Sequence, residues 1–160
     1  MSWFKRVPQF APMFTKEGVA RIYEFDGQLF VCSVAGISET DSLSVFPDNV
    51  DSDTLGEAAI HHLMEYDQED SRDMREAKRH DWKAFKESGA KSVKAFEDKL
   101  WHVDVRISNG DITIEARPRL SLKSHLEVTA HARCTDPEKV GAAVKEAIHA
   151  AKTLQANGLM

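Results

Sequence analysis

From Trp101 to Ile107 apolar residues alternate with polar ones, and the alternation resumes from Ile112 to Ala116 beyond Asn109-Gly110. Period two is the pattern of a strand with one buried face. Asn-Gly suits a two-residue type I′ turn, whose central positions both need positive φ. Pairing across it sets Ile107 opposite Ile112, Val105 opposite Ile114 and Val103 opposite Ala116, with Asp104, Arg106, Thr113 and Glu115 on the other face. Val19 to Val34 predicts a second hairpin turning at Asp26-Gly27. Its pairing places Tyr23, Phe25, Phe30, Cys32 and Val34 on one face and Ile22, Leu29 and Val31 on the other, so this part of the sheet is expected to be covered on both sides. Leu43 to Phe46 predicts a short strand stopped by Pro47. A further strand follows Pro118, with Leu126, Val128, Ala130 and Ala132 in alternation.

Helical spacing takes over after Asp51 to Asp53, where a capping carboxylate can accept backbone N–H bonds. Leu55, Gly56, Ala59, Ile60 and Leu63 form the stripe, with His62 at its border and His61 roughly on the far side. Gly56 costs a helix about 1 kcal/mol relative to alanine, and close approach of the helix backbone to the sheet would account for it. A second helix is predicted over Arg72 to Ser88, carrying Met74, Ala77 and Phe85 beside Trp82 and ended by Gly89. Lys91 to Leu100 fits either a short helix through Val93, Phe96 and Leu100 or the start of the next strand, and is read as a connector. Asp136-Pro137-Glu138 marks the third helix start: cap, proline in the first turn, acid at the positive end. Its stripe is Val140, Gly141, Val144, Ala147, Ile148, Ala151 and Leu154, ending near Asn157-Gly158.

The expected fold is therefore α+β (or α/β): a single domain over residues 1–160, with a mixed sheet covered by three helices. Hairpin, strand and helix occur twice, and Asp51 leads to Leu55-Gly56 as Asp136 leads to Val140-Gly141. This predicts a weak internal duplication of two halves.

Composition narrows the classes. The 160 residues are 42% apolar and 29% charged, enough for one well-buried core. A net charge of -5 without a Lys/Arg-rich tract argues against nucleic-acid binding, which needs basic surface to displace phosphate counterions, and favours a basic partner. Cys32 and Cys134 belong to no ligand pattern and read as small buried hydrophobes. Residues 1–18 scatter Trp3, Phe4, Phe10 and Phe14 among charges and prolines, without the apolar run of a signal peptide. Those aromatics fit an exposed arm or an irregular segment packed on the core, and the burial preference of large apolar groups favours the second. No stretch is long enough to span a bilayer, and a cytoplasmic location is expected.

The densest charge lies at Glu65, Asp67, Glu69, Asp70 and Asp73, five acids against Arg72 alone. Such runs are usually solvated surface, and the sharper reading is a docking site for a basic protein. The spacing is not that of a Ca²⁺ loop. His61, His62 and Glu65 form the one close histidine cluster, but it lacks HExxH order, and adjacent helical side chains project about 100° apart. There is no GxSxG, P-loop or GxGxxG. No catalytic residue, cofactor or metal is expected.

Three stretches carry a resemblance. Thr54-Leu55-Gly56-Glu57-Ala58-Ala59 follows the acidic cap. Gly89-Ala90-Lys91-Ser92-Val93-Lys94-Ala95-Phe96 runs into the Asn109-Gly110 hairpin and Pro118, and Asp136-Pro137-Glu138-Lys139-Val140-Gly141-Ala142-Ala143 opens the last helix. In these the chain resembles the immunity proteins of bacterial contact-dependent growth inhibition systems. Between Arg119 and Thr135 it lacks the Trp-Gly pair and the proline-ended strand of that pattern. The resemblance implies a cytosolic inhibitor, without catalysis of its own, that binds one cognate toxin C-terminal domain, commonly a nuclease. A non-catalytic adaptor or scaffold is the first alternative and a metal-dependent hydrolase the second. A toxin-domain reading frame immediately upstream, or tightly held metal, would discriminate among them.

Overall fold

The computed structural model describes residues 17–36, 38–66, 82–118, 127–133 and 136–159. Both hairpins form as their alternation requires. They supply β1 (Gly18–Phe25) with β2 (Gln28–Ala35), and β4 (Trp101–Ser108) with β5 (Asp111–Pro118). Asp26 and Gly27 have φ of 49° and 76°, Asn109 and Gly110 of 51° and 82°, the paired positive values that keep a two-residue turn in step with strand twist. The register across the second turn is the expected one, with Ile107 opposite Ile112 and Val103 opposite Ala116.

With β3 (Ser38–Pro47) and β6 (Val128–Arg133) the strands make one sheet in the order β3-β2-β1-β4-β5-β6. Every pairing in it is antiparallel, so the expected mixed sheet is an antiparallel one. Between β3 and β4 lie α1 (Ser52–Met64), α2 (Lys83–Glu87) and α3 (Val93–Lys99), and α4 (Pro137–Ala156) closes the chain. Four helices are therefore present among the described residues, one more than expected. The added one is α3, in the stretch read as a connector. Ser92 caps it by accepting from the Ala95 N–H at 3.1 Å. Seven residues are too few for helical spacing to declare itself, and packing of Phe96 decides the outcome.

The strand expected over Leu43–Phe46 is longer, because β3 reaches back to Ser38. Its first residues are polar and show no alternation. A register shift between Cys32 and Val34 lets Val34 pair with Glu39, and the backbone ladder carries that end. Of the helix expected over Arg72–Ser88, only α2 falls within the described residues, where it ends before Gly89 at φ 70° as anticipated.

One face of the sheet holds the main core: Ala20, Ile22, Leu29 and Val31 from the first half, and Val103, Val105, Ile107, Ile112, Ile114 and Ala116 from the second, all under α1 and α4. Where β1 and β2 face the other way, Tyr23, Phe30 and Cys32 meet Ala84, Phe96 and Leu100, so this half is covered on both sides as expected. Cys32 is a buried free thiol. Cys134 and the aromatics of residues 3–14 lie outside the described residues.

Three strands and a helix run twice, and β1 meets β4 at the centre of the sheet. There Ala20 pairs with Val105 and Ile22 with Val103, flanking Arg21 opposite Asp104. The helices reciprocate. A Cβ placed on Gly56 would stand 1.7 Å from the Pro137 carbonyl oxygen, and one on Gly141 1.8 Å from the Ser52 carbonyl oxygen. The glycines thus bring α1 and α4 together, not helix to sheet as expected for Gly56. Backbone against backbone is the reason: only hydrogen fits where each helix crosses the other's first turn. Asp51 and Asp136 cap those turns, accepting from the N–H of Thr54 at 2.8 Å and of Lys139 at 3.2 Å.

Candidate functional site

Of the five acids singled out in the sequence, Glu65 is described, and Asp67, Glu69, Asp70 and Asp73 lie outside the described residues. Glu65 follows the last turn of α1 as its C-cap, its N–H donating to the His61 carbonyl. Its carboxylate oxygen Oε2 accepts hydroxyl bonds from Ser33 of β2 and, at 2.6 Å, from Ser42 of β3. The Ser33 oxygen is also 2.6 Å from Nδ1 of His62, and Ser44 of β3 is 2.9 Å from Nε2.

Proton counting assigns the imidazole tautomer. Since Ser33 spends its one hydrogen on Glu65, it accepts from His62 Nδ1–H, which leaves Nε2 to accept from Ser44. The result is a directional chain from Ser44 through His62 and Ser33 to Glu65.

His62 is 1% exposed, and burial, with the neighbouring His61 adding to it, pushes its pKa down from the ordinary 6.5 against the opposing pull of Glu65. The hydroxyl bonds of Ser33 and Ser42, helped by the two histidines, hold the Glu65 carboxyl below its ordinary value against its partial burial. His61 is different: 63% of its side chain is exposed, with Nε2 3.5 Å from Glu65 Oε1. The two rings stand edge to face with centroids 5.2 Å apart and approach different oxygens of Glu65, His62 through Nδ1 at 3.5 Å from Oε2. Among the described residues no group of three His, Cys, Asp or Glu side chains is placed to hold a metal ion. Neither ring nitrogen of His62 is free to reach a substrate directly, since each is already bonded to a serine.

A depressed histidine pKa means that the folded state binds fewer protons than the unfolded one. The corresponding stability is present above pH 6.5 and is lost as pH falls through the folded value. His62→Gln, which has a donor and an acceptor but does not titrate, should lose less stability than the wild type between about pH 7.5 and about pH 5.5 in urea unfolding. Equal losses in the two proteins would contradict the buried neutral imidazole.

A second charged surface lies on the β4-β5-β6 face away from α1 and α4. Asp104, 4% exposed, is its node. Arg117 Nη2 donates to it at 3.2 Å, His102 Nε2 lies at 3.1 Å, and Arg21 and Arg106 each lie at 3.5 Å. Burial raises the carboxyl pKa, but the His102 hydrogen bond and the charges of His102, Arg21 and Arg106 outweigh it and bring it to about 2. Arg106 and Arg117 stay about half exposed and also reach Glu115 and Glu127. Arg21 continues inward to Glu39, which accepts from the Trp82 indole and the Tyr23 hydroxyl. The charged outer face thereby joins the aromatic cluster beneath α2 and α3.

The sequence marked Glu65 and the polar face of the central hairpin. It did not mark Ser33, Ser42 or Ser44, which are brought to one place by the β2–β3 register and carry no spacing signal. Among the described residues no helix is long and apolar enough to cross a membrane.

No protein-family model matches the chain, and no curated protein sequence matches it. Among solved structures, a protein of unknown function from Neisseria meningitidis has the same fold, with a TM-score of 0.70 at 18% identity, covering 94% of this chain and 99% of that one. A chain of the CdiA-CT/CdiI toxin and immunity complex from Yersinia pseudotuberculosis is also similar. Its TM-score is 0.65 at 18% identity, covering 84% of this chain and 97% of that one.

Proposed function

We propose that this chain is a cytoplasmic immunity protein that binds the toxin domain of a contact-dependent growth inhibition system and neutralises it by protein–protein binding, with no reaction of its own. The observation that carries this reading is the fold shared along 97% of a chain from a toxin and immunity complex. The sequence resemblance points the same way, and residues 1–160 are read as one immunity-protein-like domain. A nuclease is the toxin class that best suits the charge: its phosphate-binding cleft is basic, and a partner of net charge -5 is steered toward it. Glu65 and the acids Asp67, Glu69, Asp70 and Asp73 are the proposed partner surface, with the polar face of β4 and β5 as the second candidate.

Reversing Asp67, Glu69, Asp70 and Asp73 to lysine tests the surface. Stability should change little, as is usual for surface substitutions. Binding to the toxin domain should weaken, mainly through a slower and more salt-sensitive association rate if the charges sit at the rim. Both rates measured at two salt concentrations give the answer. A folded four-lysine variant that binds and protects as the wild type does would remove this segment from the interface.

A further inference from the structure

We infer that the outer face of β4 and β5 meets carboxylate groups of the partner protein, and that Arg106 and Arg117 are the side chains that take them. The inference rests on the partner reading above and gives its second candidate surface one kind of contact. The two halves of the sheet differ on this face. Across β1 and β2 it carries Tyr23, Phe30 and Cys32, packed against Ala84 of α2 and Phe96 of α3. Across β4 and β5 it carries Asp104, Arg106, Thr113, Glu115 and Arg117, and Arg106 and Arg117 stay about half exposed.

Asp104 is enclosed and cannot itself meet a partner. His102 and Arg21 approach its Oδ1, while Arg106 and Arg117 turn toward Oδ2 at 3.5 and 3.2 Å. One buried anion therefore holds two guanidiniums side by side at the surface. Each guanidinium has five N–H donors, and little of that capacity is spent within the domain. Arg117 makes one hydrogen bond, to Asp104. Its approach to Glu127 is 3.8 Å, and those of Arg106 to Asp104 and Glu115 are 3.5 and 3.7 Å, distances of ion pairs longer than a good hydrogen bond.

Arg21, Arg106 and Arg117 are matched in number by Asp104, Glu115 and Glu127, so this face offers directed donors and not a long-range field. The complement of a planar guanidinium with unspent donors, in charge and in shape, is a carboxylate bound through both oxygens. A phosphate presents similar oxygens, but a chain of net charge -5 is ill suited to nucleic acid.

The test uses the full chain and the C-terminal end of the adjacent upstream gene's product, the candidate toxin domain, with variants whose urea midpoints show them folded. Arg106→Gln and Arg117→Gln together should weaken binding about tenfold or more, the scale of one or two lost charged hydrogen bonds, mainly through faster dissociation. Arg106→Glu should weaken it further than Arg106→Gln, because it sets like charge against the partner's carboxylate. Arg133→Gln, at the edge of the same face and 4.0 Å from Asp111, should bind within about twofold of the wild type, as an exposed pair contributes little.

A folded double glutamine variant that binds as the wild type does would make this face merely solvated and overturn the inference. So would Arg106→Glu binding as well as Arg106→Gln or better, which would put a basic group against the face, and so would an equal loss from Arg133→Gln. Binding of a DNA duplex by the wild type that the double glutamine variant loses would assign the two guanidiniums to phosphate instead. None of these results touches the acidic surface that the four-lysine variant tests. A wild-type protein that does not bind the upstream product's domain would defeat the proposed function, and this inference with it.

Discussion

Gly141→Ala, which adds a single methyl group, is expected to destabilise the protein by more than about 3 kcal/mol, beyond the usual range for overpacking a core. The helix interior gains about 1 kcal/mol of propensity from the same change, so the packing cost exceeds the net loss by about that amount. What the new Cβ meets is a carbonyl oxygen of α1 at 1.8 Å, and a backbone atom has no alternative rotamer. α1 and α4 must separate, and both rest on the apolar face of the sheet, so the strain spreads into Leu55, Val140 and the strand residues beneath. Gly56→Ala should behave alike, because its Cβ would stand 1.7 Å from the Pro137 carbonyl oxygen. Gly89 serves as a control. It has positive φ but nothing within 4 Å, so Gly89→Ala should cost only the roughly 1–2 kcal/mol of the backbone conformation. Urea unfolding gives all three values, and a midpoint for Gly141→Ala at or above wild type would dismiss the helix crossing.

Phe96→Ala should cost about 3–5 kcal/mol, the range for removing a fully buried aromatic ring. Phe96 has no exposure and belongs to α3, a seven-residue helix that could not persist without an anchor. Its ring lies 4.8 Å from that of Trp82 and 4.9 Å from that of Phe25, both edge to face, with Tyr23 and Phe30 farther out in the same geometry. Truncation removes the ring on which the rest of this cluster packs and opens a cavity between the sheet and α3. The Trp82 fluorescence should shift toward that of exposed indole at denaturant concentrations where the far-ultraviolet circular dichroism is still native. Coincident transitions at the wild-type midpoint would show that α3 is held by something else.

These two sites also mark what the sequence could and could not reveal. The hairpins were legible because period two and the Asp-Gly and Asn-Gly turns fix register together, and the observed partners are the ones the alternation requires. The long helices were legible from their caps and stripes. The glycines were visible as conspicuous breaks in helix propensity, but their partner was not, since a stripe records burial and not what covers it. The antiparallel order follows from how the two halves meet at β1 and β4, a pairing separated by about eighty residues that no local pattern encodes. The polar start of β3 and the short α3 owe their form to neighbours. At the candidate site Glu65 stood out as a charge, whereas Ser33, Ser42 and Ser44 acquire meaning only once β2 and β3 lie side by side against the end of α1.

The central claim, that this fold serves to neutralise a toxin, is tested most directly by co-expression with the C-terminal end of the adjacent upstream gene's product, the candidate toxin domain. Cells carrying both genes should grow while cells carrying the toxin domain alone stop, and the two proteins should co-purify as one complex. Growth arrest that persists with this protein present, folded and in excess would contradict the account.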